Sequence, residues 1–306
     1  MNTFDEYYET YFKERWNTLK HAMLAPHEAF PLKTSAEHPY FMDTGSVLAG
    51  LMVADALQTY STGTNPSIML TTPLALLDAC SAPGGKALVL AQELTRRNIP
   101  FTLLANELSS NRRRRLKEVL ETHCNTTLRS TITVSGFDAA RAGSKKTEHH
   151  RFSGILLDVP CSSERHVIND ANARALWTPA RIENLSQRQW ALLSSAYLLA
   201  KETAVIAYVT CALTDAENDA VIARALQKYG ENLTVLPSRL IAQSVVEKGT
   251  LRQVKSTSLA QRSDKALEND AARLSWEITA HGIAIMPDTS NGAGPLFISL
   301  LLKRKL

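Results

Sequence analysis

No stretch of this chain is apolar for long enough to span a bilayer. Its four cysteines, Cys80, Cys124, Cys161 and Cys211, show no CxxC spacing, so no metal site is expected. A chain of 306 residues needs no disulfide staples, and the cysteines read as free thiols in a reducing compartment. There is little excess of charge of either sign: 34 Lys and Arg against 30 Asp and Glu leave +4, which permits a polyanionic partner without demanding one. The start, Met1 to Glu6, is acidic and lacks a basic region followed by an apolar one. It therefore does not read as a signal peptide, and a cytoplasmic, monomeric protein is expected. Internal repeats and low-complexity tracts are absent as well. At 44% hydrophobic and 21% charged residues, the composition allows a sizeable core, in one large domain with an appendage or in two modest domains.

Residues 1–65 read as a helical N-terminal extension. Phe4, Tyr7, Tyr8, Tyr11, Phe12 and Trp16 recur at helical spacing, a stripe expected to dock on the neighbouring domain. Ser46 to Tyr60 reads as a buried helix and Ser61 to Pro66 as a turn-rich linker. Over 66–306 the pattern alternates. Ala75–Cys80, Phe101–Asn106, Thr131–Ser135, Gly154–Val159 and Thr203–Thr210 read as strands. Helices are expected to Arg97, over 109–122, over 185–201 and over 215–229. Strands alternating with helices imply an α/β fold with a mostly parallel sheet and right-handed crossovers. Ser238–Ala280 is polar and reads as helices or an insertion; Gly282–Met286 and Leu296–Leu302 read as a final hairpin.

The chemistry sits at the strand ends. Asp78-Ala79-Cys80-Ser81-Ala82-Pro83-Gly84-Gly85-Lys86 follows the first strand and has neither GxGxxG nor GxxxxGK[ST] spacing. Its paired glycines suit a backbone that approaches a ligand closely, or a plain strand-to-helix turn. Glu107, after the second strand, is placed to accept hydrogen bonds from a ribose diol. Asp138, after the third, is placed for an exocyclic amine or a helix cap. Asp158-Val159-Pro160-Cys161 and Val209-Thr210-Cys211 put two thiols and an aspartate at the carboxyl edge of one sheet. A buried structural cysteine is the ordinary reading of either thiol alone. Two on one crevice, with Lys86 as a nearby cation, suggest an activated nucleophile. Thr214 and Glu217 read as a capping box for the helix that follows.

Four segments carry a resemblance to a family: Asp78–Lys86, Ala105–Ser109, Asp158–His166 and Val209–Leu213. In sequence, order and spacing they resemble the NSUN (Nop/Sun) RNA cytosine-5 methyltransferases over about residues 40–306. Tyr40-Phe41-Met42-Asp43, Ser162-Ser163-Glu164-Arg165-His166 and Gly294–Phe297 look closest to the mitochondrial ribosomal-RNA branch. The resemblance implies a Rossmann-like class I fold that uses S-adenosyl-L-methionine (AdoMet). It implies Cys211 as the thiol that adds to cytosine, Cys161 as the one that helps proton removal or product release, and Asp158 and Lys86 beside them. Cys80, Pro83, Gly84, Gly85, Lys86, Glu107, Arg112, Asp138 and Asp158 fall on cofactor positions, although the thiols of Cys80 and Cys124 themselves read as packing groups. DNA enzymes use the Pro-Cys thiol alone, so the presence of both points to RNA. The sequence departs from Ser-Thr-Cys-Ser to Val209-Thr210-Cys211-Ala212, losing two hydroxyls near Cys211, and from Asp to Glu at 107.

Arg165 and His166, just beyond Cys161, read as contacts to the target RNA strand or as structural residues. Of Arg112–Arg115 on their helix, three read as a solvated face, and Lys145–Arg151 as a polar loop able to meet phosphates. Small-subunit ribosomal RNA is the expected substrate, with tRNA second and with room for a partner protein that targets the RNA. A non-catalytic RNA-binding assembly factor and a DNA or protein methyltransferase are the competing readings.

Overall fold

The structure is a computed structural model that describes residues 3–61, 72–255 and 274–305. Among the described residues eleven strands appear in chain order: β1 (Phe30–Leu32), β2 (Tyr40–Met42), β3 (Leu74–Asp78), β4 (Phe101–Asn106), β5 (Ile132–Ser135), β6 (Phe152–Asp158), β7 (Ala200–Thr210), β8 (Leu233–Val235), β9 (Glu277–Ile278), β10 (Ile283–Ile285) and β11 (Leu296–Lys303). Nine of them form one sheet in the order β5-β4-β3-β6-β7-β11-β10-β9, with β8 also on β11. β3 to β7 are parallel, and β11 runs antiparallel to β7, closing the sheet with a hairpin. The strands expected from sequence all form, with ends shifted by a few residues.

The central strands are apolar on both sides because both faces are covered. Along β7, Val205, Ala207 and Val209 join one core with the helices Thr44–Tyr60, Gly85–Arg96 and Ser238–Glu247. The alternate residues Ala204, Ile206 and Tyr208 join a second core with Pro179–Leu199 and Asp219–Tyr229. Gly154 of β6 allows the Thr44–Tyr60 helix to lie close: a Cβ there would come within 2.6 Å of Leu57. The aromatic stripe docks as expected. Phe4, Tyr8 and Trp16 are buried against Val167, Ile168, Trp177, Ile182 and Leu213.

Three expectations are corrected. The first 60 residues are not all helical, since β1 and β2 form a hairpin between the helices Arg15–Leu24 and Thr44–Tyr60. Strands of three residues are too short to show an alternating pattern. The Thr44–Tyr60 helix, read as part of an extension, lies inside the core of the main sheet. The Thr214–Glu217 capping box does not form. The helix starts at Asp219, the Thr214 hydroxyl has no hydrogen-bond partner, and Glu217 is drawn inward to Ser162. The linker beyond Ser61, and the part of Ser238–Ala280 over 256–273, lie outside the described residues; on either side of the latter stand the helices Ser238–Glu247 and Thr250–Val254 and the short β9.

Candidate active site

Chain order reverses between β3 and β6, and open α/β sheets bind ligands at the carboxyl ends of strands flanking such a point. One residue pair bridges it. Lys86, in the first turn after the glycine loop, donates to Asp158 at the end of β6 over 2.8 Å. Burial disfavours the ammonium, but Asp158 more than offsets this and its pKa is raised, so it stays charged.

The loop around Lys86 is shaped for close backbone approach. Gly84 has φ +116°, a conformation that glycine adopts without steric cost. Asn106 joins the ends of three strands: its Nδ2 donates to the carbonyls of Ala79 and Phe137, and its Oδ1 accepts from Phe137 N and the Ser135 hydroxyl. Glu107 is buried; Oε1 accepts from Ser109 N at 2.9 Å and Oε2 has no hydrogen-bond donor. Arg112 donates to the Ala82 carbonyl at 2.7 Å and lies 3.4 Å from Glu107, while Arg113 donates to the Glu107 carbonyl. Two of the four helix arginines therefore support the loops, where the sequence reading had allowed one. Asp138 caps the next helix through Ala140 N and pairs with Arg188, which lowers its pKa. Beside Asp138 is a cavity of about 380 Å³, lined by Phe137, Arg141, Lys145, Glu148 and Arg151.

Both thiols stand where the strand ends put them. β6 and β7 are neighbours with Asp158 opposite Val209, so the loops that follow emerge side by side. Cys161 Sγ and Cys211 Sγ are 2.7 Å apart, both free. The Ser163 hydroxyl touches both, at 3.4 and 3.3 Å, and Cys211 N donates to Cys161 Sγ at 3.3 Å. Ser163 thus supplies a hydroxyl beside Cys211, where Val209 and Ala212 replace two serines. The hydrogen bond with Cys161 holds the Cys211 thiol below its ordinary range despite burial, with Ser163 helping. The same bond, together with burial, raises Cys161 well above the usual thiol value. Of two adjacent thiols, Cys211 is the one that ionises first. Cys80 is raised to about 12 by burial and nearby carboxylates, and Cys124 to about 11 by burial, so neither is a reactive thiol.

Arg165 reaches across the site's rim. It meets His27 Nδ1 at 2.8 Å and donates to the Gly292 carbonyl at 2.5 Å, tying the N-terminal segment to the C-terminal one, while His166 beside it is exposed.

Asp78 ends β3 fully buried, with no hydrogen bond to either oxygen. Burial pushes its carboxyl up to about 7, and the Asp158 charge adds to this. The folded chain then holds this proton more tightly than the unfolded one, so the stability it gives is full below the ordinary carboxylate range and lost as pH rises through about 7. Asp78→Asn is expected to raise the thermal midpoint near pH ~8, by roughly 1–3 kcal/mol in stability. The gain should shrink as pH falls and vanish toward pH ~4, the ordinary carboxylate range. Melting curves of both proteins across that range check it; a gain independent of pH would rule out the titration.

A nine-stranded sheet with parallel β3–β7, the β11 hairpin and a glycine loop after its first parallel strand make this the fold of class I AdoMet-dependent methyltransferases. The chain belongs to the family described as 16S rRNA methyltransferase RsmB/F, whose sequence profile matches residues 71–294. Ribosomal RNA small subunit methyltransferase F of Aeromonas salmonicida (strain A449) is 32% identical over 212 residues, which are 68% of this chain and 40% of the relative. The Klebsiella pneumoniae (strain 342) protein of the same name is 29% identical over 215 residues, 69% and 40% of the two chains. The chain thus spans well under half the length of these relatives. Among solved structures, a methyltransferase homolog from Pyrococcus horikoshii superposes with a TM-score of 0.58 at 17% identity, over 95% of this chain and 91% of that one. NSun6 from Pyrococcus horikoshii, solved with SFG, gives 0.54 at 19% identity, over 88% and 53%.

The site fits the family's cofactor, AdoMet. The buried carboxyl of Asp78 has no hydrogen-bond partner and Glu107 Oε2 meets only the Arg112 guanidinium at 3.4 Å, so both can accept from a bound group. Reading the sequence missed Ser162, Ser163, Glu164, Glu217 and Tyr8. Only Ser162 to Glu164 carried a signal, by adjacency to Cys161; the others meet the site through tertiary contacts.

Proposed function

We propose that the chain transfers a methyl group from AdoMet to carbon 5 of cytosine in RNA, through a covalent bond between Cys211 and the base. The observation that carries this reading is the pair of contacting thiols at neighbouring strand ends, with Cys211 depressed and Cys161 raised. Carbon 5 of cytosine is a poor nucleophile until a thiolate adds at carbon 6. Cys211 supplies that thiolate, forming the S–C6 bond as the C5–C6 π pair moves onto carbon 5 and the ring, whose added charge is met by the Lys86–Asp158 pair. Bound AdoMet would supply an electrophilic methyl group, held by the Gly84–Lys86 loop, Glu107, Arg112, Asp138 and Asp158. Once Cys211 is bonded to carbon 6 it no longer raises Cys161, and Cys161, ionised, takes the carbon 5 proton. The electron pair returns to form the C5–C6 double bond, and the Cys211 thiolate is expelled. A stacked cytosine is out of reach of both thiols, so the enzyme acts on an open strand or flips the base.

Small-subunit ribosomal RNA is the proposed substrate, because the relatives are named for it; tRNA is second. Arg165 and His166 are proposed contacts to the strand beside the target base. Incubation with tritiated AdoMet and RNA, DNA and protein in parallel tests the reading. Label is expected in RNA alone, as 5-methylcytosine. Label in DNA or protein, or no AdoMet binding by calorimetry, would overturn it, the last in favour of an RNA-binding factor.

A further inference from the structure

Beneath the two thiol loops lies a polar network that the reaction above does not use. Ser162, Glu164 and Glu217 are all fully buried. The Ser162 hydroxyl is in hydrogen-bond contact with Glu164 Oε1 on one side and Glu217 Oε2 on the other. A hydroxyl has one hydrogen, so it donates to one carboxyl and accepts from the other, and the second carboxyl must therefore carry a proton. The remaining partners say which. Glu164 already accepts from the Tyr8 hydroxyl at 2.5 Å and from Leu213 N at 3.2 Å, as a carboxylate does. Glu217 Oε1 accepts from Ser162 N at 3.0 Å and Gln189 Nε2 at 2.8 Å, leaving Oε2 as the protonated oxygen.

The network joins both thiol loops. Glu217 holds the backbone of Ser162, next to Cys161; Glu164 holds that of Leu213, two residues beyond Cys211. Gln189 also donates to the Pro160 carbonyl, and the Tyr208 hydroxyl donates to the Glu217 carbonyl. Tyr8 brings in the N-terminal helix from 156 residues away in sequence.

We propose that Glu164 and Glu217 hold one proton between them through Ser162, and that this bridged pair is a positioning device setting Cys211 against Cys161. Tyr8 is the third positioning residue, so the N-terminal helix helps to hold the thiol loops. The inference rests on Cys211 being the attacking thiol. The groups facing the pair are Tyr7 and Tyr8 from the first helix, Gln189 from the Pro179–Leu199 helix, Tyr208 from β7, and the two thiols; none is a cation. Burial pushes Glu217 up to about 7 and raises Glu164 also. Above that range the proton leaves, two carboxylates confront each other across one hydroxyl, and the loops move apart.

Iodoacetamide alkylation of the full chain, followed at Cys211 and Cys161 by mass spectrometry from about pH 6 to 9, reads this without RNA or AdoMet. In the parent protein Cys211 should react first, and its rate should show a second break beyond its own ionisation. Glu217→Gln keeps the hydrogen bonds and cannot lose the proton, so the second break should vanish while the neutral-pH rate holds. Glu217→Ala and Tyr8→Phe should reduce the Cys211-over-Cys161 preference, the former by about tenfold or more, as expected when a reacting group is displaced. An unchanged break in Glu217→Gln rejects the shared proton. An unchanged preference in a folded Glu217→Ala rejects the positioning role; if that variant does not fold, Ser162→Ala replaces it under the same criterion. Failure of methyl transfer to RNA in the parent would leave these alkylation results standing, so the two readings fail separately.

Discussion

Cys211→Ala should lower methyl transfer to RNA by at least about 10⁴-fold, the scale of losing a covalent nucleophile. Calorimetric affinity for AdoMet should stay within a few-fold, because the proposed cofactor positions follow β3, β4, β5 and β6 rather than β7. Cys161 is the one other thiol beside this space among the described residues; losing Cys211 removes the bond that raises it, but burial still holds its thiol above the ordinary value, so it replaces Cys211 poorly. Ser163 lies 3.3 Å from Cys211, yet its neighbours are thiols and a carbonyl, with no base to take its proton. A Cys211→Ala protein that still forms 5-methylcytosine at a tenth of the normal rate or more would reject the assignment. Loss of AdoMet binding as well would mean a broken site, and Cys211→Ser then gives the cleaner test of the thiol.

How much of this was legible in the sequence depends on how local the signal is. The parallel strands were readable because each is a short apolar run followed by a turn and an amphipathic helix, a pattern that burial on both faces imposes. The chemistry at their ends followed, since Asp158, Cys161 and Cys211 sit one to three residues from strand boundaries that the pattern marks. The β1–β2 hairpin was not legible: Phe30-Pro31-Leu32 and Tyr40-Phe41-Met42 are too short for a period to register. Glu217 misled for a physical reason. Its spacing from Thr214 suits a capping box, but two donors from elsewhere in the fold, Ser162 N and Gln189, together with the contact to the Ser162 hydroxyl, outcompete the local one. The contact between the thiols was half legible. Adjacent β6 and β7 follow from a right-handed crossover, but that the loops bend toward each other is the work of Glu164 and Glu217, which lie far apart in sequence.

That division of labour makes the second thiol the sharper probe. Cys161→Ala is expected to leave the first half of the reaction intact and stop the second. The protein should accumulate joined to RNA, as a band that survives denaturing electrophoresis, while multiple turnover falls by about 10²–10³-fold, the size of a lost proton-transfer group. Cys211 loses its principal hydrogen-bond donor in this variant and keeps Ser163, so its thiol should rise toward the ordinary range and attack more slowly at neutral pH. Attack should therefore recover as pH is raised, while release should not, because no group remains beside the S–C6 bond to help take the carbon 5 proton. Adduct yield in Cys161→Ala should climb from about pH 6 to 8, with thiolate fraction as its cause. The double variant Cys161→Ala/Cys211→Ala should show no adduct at any pH. Adduct in the double variant would place the covalent bond elsewhere, and free turnover by Cys161→Ala would return Cys161 to a packing role and leave Cys211 to act alone.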